Sequence, residues 1–208
     1  MTKTLTKLIS HSLVYSYHGR ETRRSQIHPL LSAESHRFKA ILDLSASQPR
    51  LLVPSTRKSF PSTKVNYLPI HPGYLEQPAT DPPMKHITIT CPSLSPFISD
   101  WAINVGHPEA SKPVSVGALL RAVQASLQTQ IWQAEWSRLS LSRSAEVGEA
   151  YTRRCRALES FATAAEFQRN QGVRRVDFLV DRYFFGGVLW TNLDGMDCLK
   201  LIVKARST

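Results

Sequence analysis

At 208 residues the chain is long enough for one domain with a buried core. Its 26 Lys and Arg outweigh 16 Asp and Glu, for a net charge of +10. No stretch approaches the ~20 apolar residues that span a bilayer, which excludes a membrane-spanning helix, and no long basic run is present.

The charge is uneven. Residues 1–80 hold 11 Lys and Arg against 4 Asp and Glu, an excess of 7; residues 81–208 hold 15 against 12, an excess of 3. Residues 1–26 show no sustained period and read as a mobile basic arm without the apolar run of a signal peptide. Residues 27–208 are then expected to form a single α+β domain. Cys91, Cys155 and Cys198 lie far apart, are odd in number and form no C-x-x-C. They suggest neither a disulfide framework nor structural zinc, and with no leader they point to the cytoplasm or nucleus.

Phe38, Ala40, Leu42 and Leu44 alternate with Lys39 and Asp43, a strand pattern, and Arg50 to Val53 reads as a second strand ended by Pro54. Seven of the 13 prolines fall in 54–83. Each removes a backbone donor and restrains its neighbour, so a long, Pro-rich surface loop is expected. His86 to Cys91 alternates as a strand ended by Pro92, and Trp101, Ile103 and Val105 suggest another before Gly106.

Val116, Leu119, Leu120, Val123 and Leu127 repeat at three and four residues, the apolar stripe of a helix, with Ser115 as N-cap and Val114 with Leu119 as a hydrophobic staple. Ile131 to Leu139 reads as a short second helix. A third runs from about Ser144 to Leu158, with Glu149 and Arg153 spaced for an i,i+4 pair. Ala-rich 160–170 extends the helical region to Gly172. From Val173 to Asp181, period two sets Val176, Phe178 and Val180 against Arg175, Asp177 and Asp181, which predicts a strand. Arg182 to Trp190 predicts the next strand, with Gly186-Gly187 marking a bulge or a close backbone approach. Asp194-Gly195 suits a tight turn into a last strand over Cys198 to Lys204. The sum is an antiparallel sheet ending in a three-stranded meander, with three or four helices mainly on one face.

PVSVGALLRAVQASLQTQIWQAEWSRLS, then YTRRCR, then GVRRVDFL with a following Phe-x-Gly, together with upstream IHPLL and ILDLS, resembles an uncharacterised family of fungal domains of unknown function, found mainly in mushroom-forming fungi. The resemblance covers about residues 27–203 and implies no activity, cofactor or catalytic residue. Members often carry Ser or Thr three residues before the Glu of the Glu-Trp pair, as a capping box. Trp132 stands there in this chain, ahead of Glu135 and Trp136, so the reciprocal cap is lost and Trp132 is either packed or displayed.

No nucleophile elbow, phosphate loop or dinucleotide fingerprint is present, and the histidines lack H-x-x-x-H or H-E-x-x-H spacing. His86 and Cys91 fall on opposite faces of their strand. No catalytic residue, metal or cofactor is therefore assigned. Arg175 and Asp177 read either as an anion clamp or as a register-fixing cross-strand pair. Arg153, Arg154 and Arg156 read either as phosphate contacts, together with Arg174 and Arg175, or as a solvated helix face.

The first expectation for function is a non-enzymatic intracellular domain that binds a protein partner or itself through Trp132, Trp136, Tyr183, Phe185 and Trp190. The alternative is a nucleic-acid-binding protein that uses the arm with Arg153, Arg154, Arg174 and Arg175. A third reading is an unrecognised enzyme around Asp177.

Overall fold

The computed structural model describes residues 25–34, 44, 52–54, 67–94, 97, 98, 101–107, 109, 111–156, 166, 167, 169–193 and 195–205. The basic arm up to residue 24, the strand expected at 38–44 apart from Leu44, and most of the Ala-rich helix lie outside them.

Four strands make the central sheet: β5 (His86–Thr90), β6 (Ala102–Gly106), β7 (Phe184–Leu193) and β8 (Met196–Lys204), in the order β6-β5-β8-β7. β5–β6 and β7–β8 are antiparallel, while β5 and β8 run parallel with Ile89 opposite Leu199. Alternation sends Ile87, Ile89, Ile103, Val105, Leu199 and Leu201 into one core, and leaves His86, Ala102, Asn104 and Gly106 exposed. The helix α2 (Val116–Leu127) closes that core with Val116, Leu119, Leu120, Val123 and Leu127, all fully buried. Ser115 caps it, its Oγ accepting from the Ala118 N–H at 3.2 Å. Two further helices follow, α3 (Gln133–Trp136) and α4 (Leu141–Arg156). The fold is α+β, with helices packed on the apolar face of the sheet, as the periodicities predict; the sheet is mixed rather than antiparallel throughout, because β5 and β8 pair in parallel.

Within the Pro-rich stretch, residues 55–66 lie outside the described ones, and the described part carries short elements. It contributes β3 (Tyr67–Pro69), paired with β2 (Leu52–Pro54), a single helical turn α1 (Pro72–Leu75), and β4 (Thr80–Asp81), paired with β1 (Gln26–Ile27). Its prolines are accommodated because these strands are two or three residues long and lie in two-stranded ribbons. Ile70, Ala79 and Thr80 are buried there.

The Gly186-Gly187 signal marks both features at once. The β7–β8 register shifts between Phe185 and Gly187, and Gly187 has φ +106°. The backbone of 31–33 crosses at this point. Val188 N–H donates to Leu31 O at 2.7 Å, Ala33 N–H donates to Val188 O at 3.1 Å, and a Cβ on Gly187 would lie 2.5 Å from Ala33 N.

The strand expected over 173–181 does not form. Arg175–Leu179 is a 3₁₀ turn, so the chain ends in a two-stranded hairpin, β7–β8, rather than a three-stranded meander. Gly172 enters the turn at φ +66° and Val180 leaves it at φ 57°. Val176, Asp177, Phe178 and Leu179 are all buried, a contiguous run that a half-buried strand would not give. The alternation was real, but a buried anion decided the conformation.

Candidate functional site

Helical spacing divides α4 into two faces. Val147, Ala150 and Arg154, spaced three and four apart, share the inward stripe and are buried. Arg154 is thus an arginine in a core position, and Asp177 answers it. Both side chains are almost fully buried, Arg154 at 7% exposure and Asp177 at 3%. Nε donates to Oδ1 and Nη2 to Oδ2, each at 2.8 Å, the bidentate fork that carboxylate and guanidinium geometry favours. The Arg174 N–H adds a third donor to Oδ2 at 2.9 Å, and Arg154 Nη2 also reaches Gly172 O at 3.1 Å.

Two more arginines of α4 fasten the same turn. Arg143 donates to Phe178 O while its guanidinium lies 4.4 Å over the Phe97 ring, and Arg153 donates to Val180 O at 3.3 Å. Arg174, 6% exposed, donates to Gln128 Oε1, and Gln128 Nε2 donates in turn to Leu44 O at 2.7 Å. Burial opposes the Arg154 charge, yet the hydrogen bonds and attraction from Asp177 raise its pKa above the usual arginine range. Burial, with repulsion from Arg154, lowers that of Arg174.

Asp177 therefore neither pairs with Arg175 across strands nor stands open as an acid or base. It is the anion that folds 172–182 against α4. Arg154 and Arg174, two of the four arginines assigned to nucleic acid, are committed inside this clamp, while Arg153 is exposed and Arg175 half-buried.

The clamp sets the position of Trp132. The turn's entry pairs with the link between α2 and α3: Ile131 N–H donates to Val173 O at 3.1 Å and Arg175 N–H to Thr129 O at 3.0 Å. Trp132 follows at once as the N-cap of α3, and its N–H donates to Glu135 Oε2 at 2.7 Å. That half of the capping box survives. The reciprocal half is missing because an indole has no acceptor to offer the Glu135 N–H. Freed from that role, the Trp132 side chain is displayed, 74% exposed. The other expected aromatics differ. Phe185 is buried in the core, and Trp136, Tyr183 and Trp190 are half-buried against it.

One helical turn beyond Trp132, Trp136 lines an open groove with Val173 as its neighbour on the wall. α4 lines it with Ala145, Gly148, Tyr151 and Thr152. Glu149, Arg153 and Arg156 of the same helix line it too, all exposed. The groove went unseen in the sequence because the same arginines read as one basic patch; helical spacing parts Arg154, on the core stripe, from its two neighbours.

The chain matches the model of a family of unknown function (DUF6699) over residues 42–197. It belongs to that family. The match lies within the 27–203 span of the resemblance and includes the clamp, the groove and Trp132, whereas the Leu31–Ala33 segment that crosses Gly187 lies outside it. No curated protein and no solved structure matches the chain. Among the described residues no three His, Cys, Asp or Glu gather as a metal site, and no helix is long and apolar enough to cross a membrane.

Proposed function

We propose that this member of the family is a protein-interaction domain whose partner engages Trp132 and the adjoining groove beside α4. The supporting observation is Trp132 itself. An indole three-quarters exposed is held on a backbone fixed by the Ile131–Val173 bond and the Glu135 cap. Large aromatics displayed on rigid positions are the anchors from which interfaces draw most of their energy. Arg153 and Arg156, exposed along the adjoining groove, supply charged groups of the kind found at the edges of interfaces. The three cysteines are buried thiols, in keeping with a protein of a reducing compartment, the cytoplasm or nucleus.

Trp132→Ala tests the reading. The variant should melt with the parent, since the side chain covers little of the core. It should also lose the specific partner that the parent retains in quantitative co-purification. A variant that retains every partner of the parent at equal yield overturns it.

A further inference from the structure

Val180 has φ 57° and ψ −93°. It is the first central residue of the turn that the Arg182 N–H closes on Leu179 O at 2.9 Å, a place where positive φ calls for glycine. A β-branched residue is strained there, and such strain persists only where neighbours impose it. Hydrogen bonds on both sides impose it here. The Val180 N–H donates to Asp177 O at 3.1 Å, Val180 O accepts from Arg153 at 3.3 Å, and Phe178 O accepts from Arg143. The Arg154–Asp177 pair holds the same turn and desolvates two charges to do so. The segment also encodes another conformation, since Val176, Phe178 and Val180 alternate with Arg175, Asp177 and Asp181 as in a strand. Backbone strain, a buried ion pair and a competing pattern in one stretch mark an element with two states.

We infer that residues 172–182 are a strained latch that opens as a unit and so regulates the presentation of Trp132; this rests on the reading of Trp132 as a partner's anchor. The link is the entry of the turn. Ile131 N–H donates to Val173 O, Arg175 N–H donates to Thr129 O, and the Arg174 guanidinium donates to Gln128 Oε1. When the latch opens, these bonds go together. Trp132, the next residue after Ile131 and the N-cap of α3, then loses the backbone that holds it in place. A partner that grips Trp132 favours the closed latch, and by linkage the closed latch favours the partner. Arg153 is where the latch is reached from outside, because it is exposed and yet donates to Val180 O.

Native-state hydrogen exchange on the full chain, read amide by amide in NMR spectra, tests the latch. The amides of Ile131, Trp132, Arg175, Asp177 and Val180 should open together, and more readily than those of Leu119 and Val123 in α2, which report global unfolding. Val180→Gly relieves the strain and keeps every hydrogen bond, so it should slow the whole set by about fivefold or more. Arg153→Gln takes the guanidinium off Val180 O and should speed the same set by about threefold. Exchange of the set only at the rate of α2 overturns the inference, as does a set indifferent to Val180→Gly. Arg175 and Val180 amides that respond to both variants while the Trp132 amide does not would also overturn it, because the turn would then move without Trp132. None of these outcomes touches the interaction reading, which loss or retention of the partner by Trp132→Ala decides separately.

Discussion

Asp177→Asn is the change that most directly probes why residues 172–182 fold as they do. The carboxylate accepts two 2.8 Å hydrogen bonds from Arg154 and one of 2.9 Å from the Arg174 N–H, with almost no exposure to water. Asparagine keeps the shape but removes the charge, and its amide turns a donor toward a guanidinium that has only donors. Arg154 then loses the carboxylate that its fork binds, a loss that costs about 3–5 kcal/mol for a buried pair. For a chain of this size each kcal/mol lowers Tm by about 2–4 °C, so a fall of roughly 6–20 °C is expected. Urea unfolding followed by circular dichroism measures the free energy, and a thermal scan the Tm. The double variant Arg154→Leu/Asp177→Leu removes both charges and should recover much of the loss, since the attraction between buried partners only offsets their desolvation. A single-variant loss below about 1 kcal/mol, in the range of a solvated surface pair, would refute the clamp as the determinant of the turn.

Other outcomes follow from the same geometry. Gly187→Ala places a Cβ 2.5 Å from Ala33 N at φ +106°; it should destabilise by roughly 2 kcal/mol or more and speed hydrogen exchange at the Ala33 and Val188 amides. Ser115→Ala removes the acceptor for the Ala118 N–H and should cost about 1 kcal/mol in urea titration. Burial, only partly offset by backbone hydrogen bonds at Ser93 and Leu94, pushes the Cys91 thiol up to about 11 from 9.0. Because the folded chain holds this proton more tightly than the unfolded chain, the associated stability is complete below pH 9 and declines between pH 9 and 11. Its full size is about 2–3 kcal/mol. Cys91→Ala should flatten that alkaline limb; an unchanged slope would assign it elsewhere. Burial raises the Tyr151 phenol in the same direction, which leaves a residual alkaline slope in that variant.

Much of the fold was legible in the sequence because local physics dictated it. Period two fixed β5, β6 and β8; a stripe of five apolar residues and a serine cap fixed α2; and a Gly-Gly pair announced the bulge of β7. Trp132 was singled out by the resemblance, as an indole standing where members of the family often carry a capping oxygen. What the sequence left open was which way that side chain points, and backbone bonds to Val173 and Glu135 settled it.

Only the tertiary structure decided the turn at 172–182. Val176, Asp177 and Phe178 alternate as they would in a strand, and Arg154 is 23 residues away from the carboxylate that it binds. An isolated segment with that pattern keeps Asp177 in water and extends. Once α4 brings a desolvated guanidinium to the same place, the carboxylate gains three donors only by turning inward, and the backbone curls to carry it there. Periodicity reports on solvent and core, the two environments that a local segment can sense. A buried charge with a distant partner belongs to neither, so its conformation is set when the partner arrives.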